Sequence, residues 1–250
     1  MPYRDLGAAT ARIDGRHTRY RFDLEQDIPW CELDGPGLHL GPLFLERVGI
    51  DAAGLQAHPE AMEMLQWAVG LEICRAFSAL EGYLLDFVDD EQNVLGPSKS
   101  VMMLYQEERK HIALFDRYAD WLQTQHPEWI ADFESHFAPV LPALINPYNQ
   151  ESYPEATSRH CFFWLKTLFF EEYTIFLHEA LAEETSILKP VWLAMHRCHR
   201  QEEVQHVVTD AAHVDDLDMT STEKRAMSRV FWSHLDQTFE LFLGVAASRS

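Results

Sequence analysis

After Pro59, apolar residues recur at steps of three and four, which is the period of a helix with one buried face and not the period of two that marks a strand. This pattern predicts a helix from Ala61 to Val88, closed by the connection at Gly96-Pro97. A second helix is predicted over about 98–125, with Ser98 as its N-cap. His126-Pro127 interrupts it, and a shorter helix over 128–137 precedes a loop carrying Pro139, Pro142, Asn146, Pro147, Asn149 and Pro154. A third long helix is predicted over 156–183. A fourth begins at Pro190, a first-turn position where the missing N–H costs nothing, and runs to about 215. Thr220-x-x-Glu223 is a capping-box pattern that opens a last helix to about 247. Residues 1–57 hold most of the glycines, as in Asp34-Gly-Pro-Gly37 and Gly41-Pro42, and read as an irregular arm of turns.

No strand-rich segment, internal repeat or low-complexity tract appears. The expected fold class is all-α. Four long central helices form two antiparallel pairs, with the long connection between pairs near 126–156. One domain of 250 residues is expected, with 1–57 packed as an arm on a bundle of 58–250 and an extra C-terminal helix.

Charge narrows the function classes. Forty Asp plus Glu against twenty Lys plus Arg give a formal charge of −20. That balance argues against nucleic acid as a partner, since such binders need positive charge to displace counterions. It also argues against docking on anionic membranes. The most apolar run, Cys161 to Leu177, is cut by Lys166, Glu171 and Glu172 and falls short of the ~20 residues of a membrane span. The N-terminal stretch lacks the apolar core of a secretory signal. The four cysteines form no CxxC, so a reduced, cytoplasmic setting is expected.

Within this acidic chain some carboxylates and histidines stand in apolar stripes. Two Glu-x-x-His pairs occur, Glu108/His111 and Glu203/His206, and residues three apart on a helix share a face. On the second helix the stripe Val101, Leu104, Tyr105, Glu108, His111, Ile112, Phe115 is apolar except for the pair. Burying such groups without a partner costs several kcal/mol, and a metal ion offsets that cost. On the fourth helix His196, His199, Glu203, His206, Asp210 and His213 follow steps of three and four with no Lys or Arg among them. They read as a ligand row whose outer members orient the ligating imidazoles or reach the surface.

The third helix adds Glu172, which shares its stripe with Leu165, Leu168, Ile175 and Phe176 and so is expected to point inward. Glu171 shares its face with Thr167, Thr174 and His178 and is expected outside. The first helix offers Glu81, in a stripe with Trp67, Cys74, Phe77, Leu84 and Val88, or Glu72, which has Arg75 three residues on. The apolar stripe favours Glu81, and Glu81 and Glu108 lie at similar distances from the 90–97 connection. One Glu from each of two helices and Glu-x-x-His from each of two others is the pattern of a ferritin-like di-iron or di-manganese carboxylate bundle. Imidazole with carboxylate suits iron or manganese better than metals that prefer thiolates.

The segment His199-Arg-Gln-Glu202-Glu203-Val-Gln-His206 resembles the p-aminobenzoate N-oxygenase family of ferritin-like di-iron enzymes. That family is marked by an additional His four residues before the Glu of its last Glu-x-x-His, as in His199-x-x-x-Glu203-x-x-His206. Lys99-Ser-Val and Glu107-Glu108-Arg-Lys-His111 resemble its other Glu-x-x-His helix, and Glu172 and Pro190 fall where its third helix and following connection would be. The likeness spans about residues 59–215, with a weaker match at Pro42-Leu-Phe-Leu45.

The resemblance implies seven metal ligands: Glu81, Glu108, His111, Glu172, His199, Glu203 and His206. It implies two iron ions (manganese being the alternative), O2 and a small amine as reactants, an external electron donor and a homodimer. The expected activity is N-oxygenation in natural-product metabolism, by an oxygenase with no catalytic residues beyond the metal ligands. Tyr105, Phe115, Phe169, Tyr173 and Phe176 are expected near the ligands. Three other readings compete: a di-iron C–H hydroxylase or desaturase, a non-enzymatic ferritin-like iron-binding protein, and a helical interaction protein with a chance histidine stripe.

Overall fold

The computed structural model describes residues 21–90, 99–137 and 155–247, with side chains given for 21–90, 101–135, 137 and 155–236. Nearly all of these residues outside the arm are helical, and among the described residues no extended strand forms. The long helices are α3 (Pro59–Asp90), α4 (Lys99–Gln125), α6 (Ala156–Ala182) and α7 (Pro190–Asp216). A short α5 (Ile130–Phe137) follows a 3-10 turn at Pro127–Trp129, and α8 (Ser221–Ala247) closes the chain. The arm holds two short helices that periodicity cannot resolve, α1 (Pro42–Arg47) and α2 (Ala52–Gln56). Ser98 and the prolines and asparagines of 139–154 lie outside the described residues.

The long helices pair as the connections require. On α3 and α4, Trp67 Nε1 donates to Leu122 O at 2.8 Å near one end, while Leu84 and Val88 pack with Val101 and Leu104 near the other. The two helices therefore run antiparallel. On α6 and α7, Trp164 stacks on His213 at 4.2 Å, and Arg200 pairs with Glu179 farther along, which gives a second antiparallel pair. Helix α8 covers α6 through Phe231, which meets Phe162 at 5.7 Å. Thr220 caps α8 as expected: its N–H donates to Glu223 Oε2 at 2.7 Å, and Glu223 N–H donates back to Thr220 Oγ1 at 3.3 Å.

Polar contacts seat the arm. Gln66 of α3 accepts from the N–H groups of His39 and Leu40 and donates to Leu40 O, all within 2.8 Å. Leu38 bridges the α6–α7 connection, accepting from Lys189 N at 3.0 Å. Gly37 allows this approach: its φ is +132°, and a Cβ there would sit 2.6 Å from Lys189 N. Farther back, Phe22 reaches the middle of the bundle, with its ring parallel to that of His111.

Candidate metal centre

The four long helices bring four carboxylates and three imidazoles to one place in the bundle interior. These are Glu81 from α3, Glu108 and His111 from α4, Glu171 from α6, and His199, Glu203 and His206 from α7, all buried. Helical spacing explains the convergence, since positions 108 and 111, or 199, 203 and 206, lie on one face of a helix.

Glu108 and Glu203 span the cluster. His111 Nδ1 lies 2.9 Å from Glu108 Oε2 and 2.9 Å from Glu203 Oε1. His206 Nδ1 lies 2.7 Å from Glu203 Oε2 and 3.0 Å from Glu108 Oε1. Each carboxylate thus places one oxygen beside each imidazole. Glu81 stands at the His111 side, with Oε1 3.3 Å from His199 Nε2 and 3.9 Å from His111 Nδ1. Glu171 stands at the other side, with Oε1 3.9 Å from His206 Nδ1. Two sets of four ligand atoms fall within 4.8 Å of one another: Glu81, His111, His199, Glu203 and Glu108, His111, Glu203, His206. These groups could hold metal ions. The sides are unequal because His199 adds an imidazole to the Glu81 side alone, 2.6 Å from Glu203 Oε1.

The outer nitrogens of two imidazoles are held across the helix pair. His111 Nε2 meets Glu202 Oε2 at 2.9 Å, and His206 Nε2 meets Glu107 Oε2 at 3.2 Å. Both α4 and α7 carry Glu-Glu-x-x-His, and the first Glu of each helix serves the His of the other. A proton on each Nε2 leaves Nδ1 free to bind a cation. The holding carboxylates are themselves tied to cations and to the arm. Glu202 accepts from Lys110 and from the N–H of Phe22 at 3.2 Å, and Glu107 pairs with Arg21 at 3.4 Å. Neither Glu107 nor Glu202 was anticipated from the sequence, although the doubled Glu was there to be read.

Burial dominates the electrostatics. It pushes Glu81 well above the usual carboxylate range, and the charges of Glu108 and Glu203 push the same way. Glu171 rises for the same reason, with Glu203 as its neighbour. For Glu108 and Glu203 burial acts upward too, but His206 and the other imidazoles outweigh it and hold both low. His111 and His206 are held well above their ordinary value: burial opposes their charge, and the carboxylates of Glu203 and Glu108 overcome it. Burial wins at His199, which is lowered. Protons therefore occupy the places that cations would take. Glu108 Oε1 and Glu203 Oε1 have imidazole nitrogens beside them, at 3.0 Å for Glu108 and at 2.9 and 2.6 Å for Glu203, so their satisfaction depends on protons or cations held between the helices. Oxygen and imidazole donors without thiolate fit iron or manganese.

One expectation is reversed. Glu172 is exposed, while Glu171 is buried with Thr167 and Thr174. The stripe argument assumed that the inward face of α6 is apolar. That face instead lines a polar cluster, and the stripe of Glu172 lies toward the outside, with Leu165, Leu168 and Ile175 half-buried and Phe176 56% exposed. Tyr173 also points outward, Phe169 packs against Phe231 and Trp232 of α8, and Tyr105 meets Asp89. Of the five expected neighbours, Phe115 stands beside the cluster, its ring 4.8 Å from that of His199. Glu81 faces the cluster, and Glu72 is not among the residues gathered there. His196 and His213 are buried outside both ligand sets.

Beside Glu81 and Glu171 lies a cavity of about 20 Å³, walled in part by Phe77, Tyr83, Lys166 and Phe170. It has room for about one water-sized molecule. Lys166 is buried there with its ammonium over the Tyr83 ring, and burial lowers it to about 7. Comparison with known families, curated proteins and solved structures found no match for the chain.

Proposed function

We propose that this chain is a non-haem di-iron oxygenase that oxidises a small substrate with O2, and that its reaction is N-oxygenation of an amine. The observation that carries this reading is the unequal ligand set. Glu108 and Glu203 span two sides, Glu81 with His199 and His111 completes one, and Glu171 with His206 completes the other. Two ferrous ions, when bound, supply electrons to reduce O2.

The protein's own part is to fix and isolate those ions. Glu202 and Glu107 orient the two imidazoles, and Phe22 with the arm covers His111 from outside. Phe77 and Phe115 pack edge-on to His199 and keep water from its side. The cavity beside Glu81 and Glu171, with room for about one water-sized molecule, is the approach to the centre in this reading. Electrons come from outside, because no nucleotide-binding glycine fingerprint occurs in the sequence. The resemblance adds a homodimer to this reading, which light scattering checks as a mass twice that of the chain.

The test of the reaction is incubation of iron-loaded protein with a chemical reductant, 18O2 and a panel of primary aryl and alkyl amines. The expected product carries 18O on nitrogen. Label found on carbon alone replaces N-oxygenation with C–H hydroxylation. Bound iron with no label in any organic product favours the iron-binding reading.

A further inference from the structure

Phe77 and Phe115 lead from His199 toward a file of oxidisable rings. His196 lies one turn before His199 on α7, and its ring is 4.2 Å from Trp192. Trp192 is 5.4 Å from Tyr118, and Tyr118 is 5.1 Å from Trp121. Trp192 and Tyr118 are fully buried, whereas Trp121 is half-buried and donates from Nε1 to the exposed Asp34 at 3.1 Å. Trp121, His39 and Lys189 line a surface pocket of about 530 Å³. The file therefore starts at a proposed metal ligand and ends where a small molecule can dock.

Simple packing does not account for these residue types. Trp192 Nε1 and both nitrogens of His196 are buried without a hydrogen bond, a cost that Phe or Leu would not carry. Tyr118 is different: its hydroxyl lies 2.9 Å from His39 Nε2. Gly70 makes room for that histidine, since a Cβ there would come within 3.1 Å of the His39 ring. Burial and the nearby charge of Lys189 lower His39 to about 3, so at neutral pH its ring is uncharged, and it takes a proton only from a strong acid such as a phenol that has lost an electron.

We infer that Trp192, Tyr118 and Trp121 form a relay that drains oxidising equivalents from the metal centre to the surface pocket when no substrate is present. The inference rests on the metal reading above. O2 is the oxidant, and a soluble one-electron reductant of the thiol or ascorbate class is the final donor. Each transfer moves one electron inward. Trp192 loses an electron to the centre, Tyr118 restores Trp192, and the Tyr118 phenolic proton passes to His39 Nε2. Without a reductant the oxidation rests on Tyr118; with one in the pocket, Trp121 restores Tyr118, the proton returns to the phenolic oxygen, and the reductant draws this step forward by restoring Trp121. Net, one electron leaves the reductant and one reaches the centre, with the protein unchanged.

The relay can be tested without metal. Cys31 is exposed while Cys74, Cys161 and Cys198 are buried, and Cys31 lies three residues from Asp34, the partner of Trp121. A ruthenium polypyridyl photo-oxidant attached to Cys31, in a Trp30→Phe background that removes the adjacent oxidisable indole, is flashed with a sacrificial quencher. Transient absorbance should show a tryptophan radical giving way to a tyrosyl radical. Tyr118→Phe should lose the tyrosyl signal, and His39→Leu should slow its rise. A second arm mixes ferrous-loaded protein with O2 in the absence of substrate and reads the radical by electron paramagnetic resonance. Equal tyrosyl yield in wild type and Tyr118→Phe in a chain that binds iron overturns the relay and leaves the metal reading standing. A chain that takes up no iron contradicts the metal reading, and with it the relay's source of oxidising equivalents, even where a flash passes the oxidation from Trp121 to Tyr118.

Discussion

Glu171 and Glu172 are neighbours with opposite fates, and the difference can be measured. Glu171 is buried beside Glu203 and His206, and Glu172 is exposed. Glu171→Ala should lose bound metal, whereas Glu172→Ala should bind as much as wild type, read as metal per chain after gel filtration. Loss in Glu172→Ala alone would reverse this assignment. Glu107 and Glu202 touch imidazoles and not the space between them, so their removal should weaken metal binding without abolishing it. Partners of this kind typically contribute about 10- to 100-fold in affinity. Glu202→Gln should fall in that range in a competition titration against a chelator, and unchanged affinity would show that His111 needs no such anchor. Lys166 is predicted from its environment to burden the fold. Its folded value of about 7 lies below the ordinary 10.5, so the folded state disfavours the charged form. The full penalty, on the order of a few kcal/mol, applies below about pH 7 and fades as pH rises toward the unfolded value. Metal-free Lys166→Met should therefore unfold later than wild type at pH 6, with the gap closing toward pH 10.

The starts of two helices were legible in the sequence because local chemistry marks them. Pro190 starts α7, and Thr220 with Glu223 opens α8. The facing of α3, α4 and α7 was legible as well, because their buried charges interrupt otherwise apolar or uniformly His-rich stripes. The facing of α6 was not, since apolar residues surround it and the polar stripe of Thr167, Glu171 and Thr174 resembles a solvated one until its partners are known. The arm was legible only as irregular, and the capture of His39 and Leu40 by Gln66 depends on residues distant in sequence. Gln66→Leu leaves these buried backbone groups unsatisfied, at a cost of about 1–3 kcal/mol each at most. It should raise hydrogen exchange at residues 38–40 while metal binding is retained. If exchange there is unaltered, Gln66 does not anchor the arm.

At the scale of the molecule, a chain of formal charge −20 gathers some of its carboxylates in its interior, and the metal reading gives that arrangement a purpose. Bound cations would replace protons held by Glu81, Glu171, His111 and His206, all of which are raised without metal. Metal affinity should therefore fall as pH falls, and binding should release protons, measurable as a buffer-dependent heat in calorimetry. Ligand that binds only the folded state also raises the unfolding temperature. The central claim is a pair of metals held by seven named side chains. Diffraction data collected just above and below the iron absorption edge, from crystals of anaerobically iron-loaded protein, test it most directly. The account predicts two anomalous peaks bridged by Glu108 and Glu203, with His199 and Glu81 at one and Glu171 at the other. A centre without iron, or a single peak that leaves His199 and Glu171 unligated, would contradict it.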